Sequence, residues 1–212
     1  MVQRLAKWPF VFDILRWILE GGYAGHKTVI EREMWGRQGA ILDIGCGTGI
    51  FSRYFPEADY LGVDLSPIYI DAAIRKSSGH QFLVADARQL PLAARSFAMA
   101  MISGVLHHLS DDDTRQVLGE ASRILSADGH LIVWEDIPTV SRRNFIGHWV
   151  HRFDPGQHIR RPQEYRALLN CDFQVQSERL MHSGFMDYVV FVCTPHTPRQ
   201  TIGSGTKRPA AS

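Results

Sequence analysis

Residues 40–55 read AILDIGCGTGIFSRYF. An apolar run of strand length ends in glycine at every second position, Gly45, Gly47 and Gly49. Glycine has no Cβ, so it reaches dihedrals closed to other residues and lets another group approach the main chain. A turn alone explains one such residue. Three of them, directly after a run whose continuous apolar character predicts a strand buried on both faces, indicate a ligand lying against the backbone. A helix is expected to follow the loop, and its first N–H groups would favour an anionic group on that ligand.

Strand-like runs recur as YLGVDL at 60–65, HQFLVADA at 80–87, FAMAMISGVL at 97–106 and HLIVWED at 130–136. Helices fit between them. Ser66 caps and Pro67 opens one. Ser110 and Asp113 have capping-box spacing before another, in which Val117, Leu118, Ala121, Ile124 and Leu125 form one apolar face. Asp128-Gly129 turns the chain into the fifth strand. This alternation specifies an α/β fold with a doubly wound, Rossmann-like sheet. FQVQSERLM and DYVVFVCTP, joined by a short turn containing Ser183-Gly184, read as an antiparallel hairpin on the sheet edge.

Upstream, RLAKWPFVFDILRWILEGG predicts a short helix ended by Gly21-Gly22, with Asp13, Arg16 and Glu20 on one stripe. Such a helix is expected to pack on its own domain, and it also offers a surface for lipid or an apolar substrate. A second helix is expected over 26–35. Residues 1–37 thus form a helical cap or lid. The stretch from Thr194 to Ser212 lacks apolar periodicity and reads as a disordered tail.

The 212 residues suffice for one sizeable core. Lys+Arg 23 against Asp+Glu 22 argues against a dedicated nucleic-acid binder. Cys46, Cys171 and Cys193 are odd in number and lack metal spacing, so no metal site and a reducing, cytoplasmic setting are expected. No apolar run is long enough for a transmembrane helix, which leaves peripheral membrane contact.

In an open α/β sheet, ligands sit beyond the carboxyl ends of the strands at the point where the strand order reverses. The glycine loop belongs there. Its spacing is G-x-G-x-G after Asp43, shorter than the dinucleotide pattern G-x-G-x-x-G, and it suits a small anionic end such as an amino-acid carboxylate. Asp64 ends the second strand, where a carboxylate can accept from two ribose hydroxyls, each bond worth about 1.5–3 kcal/mol. Asp86 follows the third strand, a place suited to the exocyclic amine of adenine. Amino acid, ribose and adenine across three strand ends describe S-adenosyl-L-methionine.

ILDIGCGTGIFS, YLGVDLSP, FLVADARQLPLAARSFAMAMISGVLHHL and EASRILSADGHLIVWED resemble the successive motifs of class I S-adenosylmethionine-dependent methyltransferases, and VLHHL and RILSADGHLIV resemble their small-molecule type 11 branch, which includes quinone-biosynthesis enzymes. The resemblance covers roughly residues 38 to 136. It implies seven strands with the last antiparallel, in a methyltransferase domain over 38–193. It also implies that Asp43, Gly45, Gly47 and Gly49 hold the methionine end, Asp64 with Leu65 the ribose, Asp86 and the backbone of Ala87 the adenine. Ser103 and Gly104 would lie beside the sulfonium.

Methyl transfer from a sulfonium requires mainly alignment of the nucleophile, which can supply roughly 7–11 kcal/mol of the barrier. His107 and His108 follow the fourth strand and are the candidate bases. SGVLHHL lacks the Pro-Pro-aromatic signature of amino-directed enzymes, and no Pro-Cys pair offers a cytosine-C5 nucleophile. A small-molecule or lipid-like acceptor is expected. The segment 140–165 is expected to form its site: Phe145, Trp149, Phe153 and Tyr165 would cover an apolar body. Arg142, Arg143, Arg152, Arg160 and Arg161 could grip an acidic group, with His148, His151 and His158 as further contacts. Two other readings are a nicotinamide-dependent oxidoreductase on a related fold and a non-catalytic S-adenosylmethionine-binding protein.

Overall fold

The computed structural model describes residues 9–141, 144–147, 149 and 158–196. Two helices, α1 (Pro9–Leu19) and α2 (Ala24–Glu33), precede β1 (Ile41–Ile44). Then come β2 (Tyr60–Asp64), α3 (Pro67–Lys76), β3 (Gln81–Val84), β4 (Phe97–Ser103), α4 (Asp111–Ile124) and β5 (Leu125–Asp136). The chain closes with α5 (Pro162–Leu169), β6 (Phe173–Ser183) and β7 (Met186–Pro195).

The seven strands form one sheet in the order β3-β2-β1-β4-β5-β7-β6. Strand β1 pairs in parallel with both β2 and β4, so the order reverses there and a crevice opens above their carboxyl ends. Strand β7 is antiparallel to both β5 and β6, as the hairpin pattern requires, and β6 forms the outer edge. Alternate residues feed two cores. Leu42, Ile44, Ala100, Ile102, Leu131 and Val133 pack under α4 and α5. Ile41, Met99, Met101, Ile132 and Trp134 pack on the other face with Tyr23, Val29 and Ile30.

Local signals were obeyed at most element ends. The Ser66 hydroxyl accepts from Tyr69 N–H and opens α3. At α4 the Ser110 hydroxyl accepts from Asp113 N–H and donates to the Asp113 carboxylate, a side-chain pair in place of a reciprocal box.

Three expectations are corrected. No α-helix follows the glycine loop: the chain makes i→i+3 turns through Cys46, Gly49 and Ser52 and a single 3-10 turn, Ser52–Tyr54. Pro56 holds Phe55 extended and stops propagation. Strand β3 is not buried on both faces, because it is the sheet edge beyond β2. Strand β5 starts at Leu125, paired with Phe97, and bulges through Asp128-Gly129 before His130 meets Met99. At the other end, β7 continues through Thr194 and Pro195, and residues 197–212 lie outside the described residues.

Helix α1 turns its polar stripe inward. Asp13 accepts from the Thr48 hydroxyl at 2.7 Å and pairs with Lys76 at 2.5 Å. Glu20 is buried and pairs with Arg16 at 2.6 Å. Ser183 Oγ donates to Glu20 O, Phe185 N–H donates to Leu19 O, and Gly184 packs so closely on Leu19 O that a Cβ would lie 2.3 Å away.

Arg160 is buried and ties the chain before α5 to the turn after β4. It donates to Leu106 O at 2.8 Å, Leu109 O at 2.7 Å, His158 O at 3.2 Å and Asp111 Oδ1 at 2.8 Å. Removing it strands buried carbonyls. Arg160→Met should lower unfolding stability by about 2–3 kcal/mol. Urea titration reads this as a lower midpoint at constant slope, and an unchanged midpoint would refute the role.

Candidate active site

The crevice above β1 and β4 encloses about 400 Å³, part of it open to solvent. Asp43, Gly45, Gly47 and Ser103 line it, joined by Asp13, Arg16 and Tyr23 from the N-terminal cap and by Thr48 and Phe51. The three glycines adopt φ of 76°, 54° and 68°. Only one of them faces space. A Cβ on Gly45 would lie 2.3 Å from Val105, and one on Gly49 2.8 Å from Phe82, whereas one on Gly47 meets nothing within 4 Å. Gly45 and Gly49 therefore admit neighbouring side chains, and Gly47 alone leaves its backbone open.

Asp64 binds the loop directly. Its two oxygens accept from Gly47 N–H at 2.9 Å and Ser66 N–H at 2.8 Å. Burial raises its pKa, opposed by those two bonds. Below the loop, Asp43 accepts from the Tyr60 hydroxyl at 2.7 Å, and burial pushes its carboxyl up to about 7 against that bond. Leu65 lies at the rim, 67% exposed. Asp86, beside Ala87, accepts from Nε and Nη2 of the Arg88 guanidinium, whose Nη1 donates to Asp113 at 2.8 Å. Arg88 holds the Asp86 carboxyl below its ordinary range.

At the end of β4, Ser103 is buried and its hydroxyl has no hydrogen-bond partner among the described residues. Gly104 N–H donates to Trp134 O, and a Cβ on Gly104 would lie 3.6 Å from His107 Cε1 and 3.8 Å from an Arg16 nitrogen. Sequence reasoning missed Glu135. Fully buried, it accepts from Val105, Leu106 and His107 N–H at 2.9, 2.8 and 3.3 Å, and meets His107 Nδ1 at 2.9 Å. A carboxylate taking three main-chain donors is an acceptor toward the ring as well. The Nδ1 proton is thereby fixed, so that in the neutral ring the lone pair falls on Nε2, 3.6 Å from Asp136 Oδ2. Burial pushes Asp136 up to about 7, with His107 opposing. His108 is exposed, its ring 4.0 Å from that of His107.

The other acceptor-site candidates diverge. Arg160 spends its donors on the fold, and Arg161 is exposed at the start of α5. Tyr165 is buried and donates to Asp136 O, while Phe145 and Trp149 are exposed. His158 N–H donates to His107 O. Arg142, Arg143, His148, His151, Arg152 and Phe153 lie outside the residues whose side chains are described. Asp13 and Arg16 could have been suspected from their shared stripe; Glu135 gave no signal beyond standing near a strand end.

This donor set fits a nucleoside that bears an amino acid. Gly47 faces open space, Asp64 stands at the next strand end, and the buried Ser103 hydroxyl has no partner among the described residues. Residues 42–133 match the profile of the methyltransferase domain family. The chain is 30% identical over 138 residues to demethylmenaquinone methyltransferase of Thermotoga maritima, covering 62% of this chain and 59% of that protein. It is 31% identical over 157 residues to malonyl-[acyl-carrier protein] O-methyltransferase of Hahella chejuensis, covering 69% and 55% respectively. The chain thus spans somewhat over half the length of these relatives. The N-methyltransferase NodS from Bradyrhizobium japonicum, solved with S-adenosyl-L-homocysteine, superposes with a TM-score of 0.66 at 16% identity, over 83% of this chain and 88% of that one. The sheet order and the crevice at its reversal point define a Rossmann-like α/β fold. Residues 42–133 carry a methyltransferase domain, and the chain is similar to S-adenosylmethionine-dependent methyltransferases of class I.

The unequal glycines make a prediction. Gly49→Ala combines a left-handed φ with a clash and should cost about 2–4 kcal/mol of stability. Gly47→Ala should cost only the conformational part, about 1–2 kcal/mol, yet weaken S-adenosylhomocysteine binding. Thermal melts and calorimetry separate the two, and equal stability losses would refute the distinction.

Proposed function

We propose that the protein transfers a methyl group to a small-molecule acceptor with an apolar body. The observation that carries this reading is the cleft at the sheet's reversal point, lined by Gly47, whose Cα faces open space, and by Ser103, whose hydroxyl has no partner among the described residues, with Asp64 bonded to the Gly47 N–H behind it. Bound S-adenosylmethionine would supply an electrophilic methyl group on a sulfonium. The chain's own residues bind and orient. Asp64 would accept from ribose hydroxyls, Gly47 and Asp43 would flank the methionine end, and Asp86 with Ala87 would face the adenine. Arg16, from the cap, would face the methionine carboxylate, for which its charge and place in the cleft are suited.

His107 is the favoured base. Glu135 fixes its proton on Nδ1, so Nε2 can take a proton from an acceptor lying beside Gly104. The acidic group first expected on the acceptor is not carried into the proposal, because Arg160 serves the fold. The near-neutral chain supports a small molecule over nucleic acid. Three free cysteines support a cytoplasmic setting. Among the described residues no helix is long and apolar enough to cross a membrane.

The cofactor half is tested by calorimetry. Asp64→Ala should weaken S-adenosylhomocysteine binding at least tenfold, about 1.4 kcal/mol. Unchanged affinity in a folded variant, or heat protection by a nicotinamide dinucleotide instead, would sink it. The catalytic half is tested with an acceptor found by radiolabel transfer from S-adenosylmethionine. His107→Ala should lower kcat by about 10²–10⁴-fold, and His108→Ala should leave it near wild type. A wild-type kcat in His107→Ala would end the base assignment.

A further inference from the structure

Alternation along neighbouring strands carries Ser103, Asp136 and Tyr188 to one place beneath the N-terminal cap. Met99 and Met101 of β4 pack against Tyr23, Val29 and Ile30, so Ser103 faces the same way two residues on and lines the cleft beside Arg16. On β5, Ile132 and Trp134 set the same direction for Asp136, and Tyr188 of β7 stands opposite it. Asp136 is 6% exposed, and its Oδ1 has no hydrogen-bond partner among the described residues. Its Oδ2 lies 3.6 Å from His107 Nε2, beyond hydrogen-bond reach. The charged groups that act on Asp136 are His107, Glu20, Glu135 and Arg16. Arg16 is held by Glu20 at 2.6 Å, and Glu135 is held by three main-chain N–H groups. Three carboxyl groups thus share a single guanidinium. Burying a carboxyl without a donor is costly, and this arrangement suits a ligand that donates to Asp136 and brings positive charge.

We infer that the reacting group of the acceptor is an aliphatic amine, which arrives as an ammonium and is received by Asp136. The inference rests on the methyltransferase reading and names the substrate class for that same site. A carboxylate would enter a buried place that already holds three acids, where like charges repel. A neutral hydroxyl could donate to Asp136 but would leave its charge uncompensated. An ammonium supplies both the donor and the charge. The Asp136 and His107 side chains keep 9% and 5% of their surface open, so the pair can be reached from outside. The ammonium gives one proton to His107 Nε2, and Asp136 Oδ2 stabilises the resulting imidazolium. The nitrogen lone pair so freed forms the bond to the methyl carbon, while the carbon–sulfur bond breaks and its electron pair stays on sulfur. A methylammonium leaves, and His107 returns its proton to water.

The test is calorimetry of the full chain, saturated with S-adenosylhomocysteine, against benzylamine, benzyl alcohol and phenylacetate, which share one apolar body. Benzylamine should bind about tenfold or more tightly than either of the others. Asp136→Asn should abolish that preference while S-adenosylhomocysteine affinity stays unchanged. Phenylacetate or benzyl alcohol bound as tightly as benzylamine, no binding of benzylamine, or a preference that survives Asp136→Asn would overturn the inference. Should Asp136→Asn fail to fold, the ranking of the three probes on the wild type still decides. A wild type that does not bind S-adenosylhomocysteine would instead sink the methyltransferase reading, and the amine assignment with it.

Discussion

Two carboxylates hold the cleft open. Where β1 leaves the sheet, no α-helix start exists to absorb the loop's N–H groups, and Asp64 takes that role by accepting from Gly47 and Ser66. Where β4 leaves it, Glu135 accepts from Val105, Leu106 and His107. A buried N–H left unmade costs about 1–3 kcal/mol, so each acid anchors its loop more firmly than packing alone would. Gly45 and Gly47 of the first loop and Ser103, which ends β4, line the same crevice. The backbone that would meet a ligand is thus fixed before any ligand arrives, which is the condition for alignment to lower a barrier.

The same arrangement gives these acids two tasks. Asp64 is a structural acceptor for the glycine loop and a candidate partner for hydroxyls. Each carboxylate oxygen has two lone pairs, so the tasks are compatible. Glu135 likewise supports a turn and fixes the tautomer of His107. Asp136, one residue on, is different. With one oxygen unpartnered among the described residues and its carboxyl pushed up to about 7, it is poised to hold or release a proton beside that ring.

Strands were legible because continuous apolar runs have few other uses, and the sheet order followed from helices alternating with them. The glycine loop was legible as a turn opening on a crevice, but its three glycines were read as equivalent. Gly45 and Gly49 answer to Val105 and Phe82, and no local pattern connects residues that far apart in sequence. The missing helix was a contest between the loop's helical promise and Pro56, which the proline won at Phe55. Arg160 shows the limit of composition. An arginine-rich segment suggests anion binding, but a guanidinium has five donors, and here main-chain carbonyls claim them. Glu135 was hidden for a similar reason: nothing local reveals that three N–H groups some 30 residues upstream need an acceptor.

Helix α1 connects the cleft to the outer surface. Its two ends are held unequally. The carboxyl end is locked by the Ser183-Gly184-Phe185 turn, through close packing and main-chain hydrogen bonds. The middle is held by Asp13, whose partner Lys76 is 43% exposed, and pairs open to solvent contribute little. The weaker contacts are therefore those that face the cleft, and the stronger ones lie at the hairpin. Between helix and sheet core stand Gly21, Gly22 and Tyr23, all at positive φ, and Tyr23 bears that conformation at a cost glycine would not incur. A ligand that engaged Arg16 would add a hold where the helix has least.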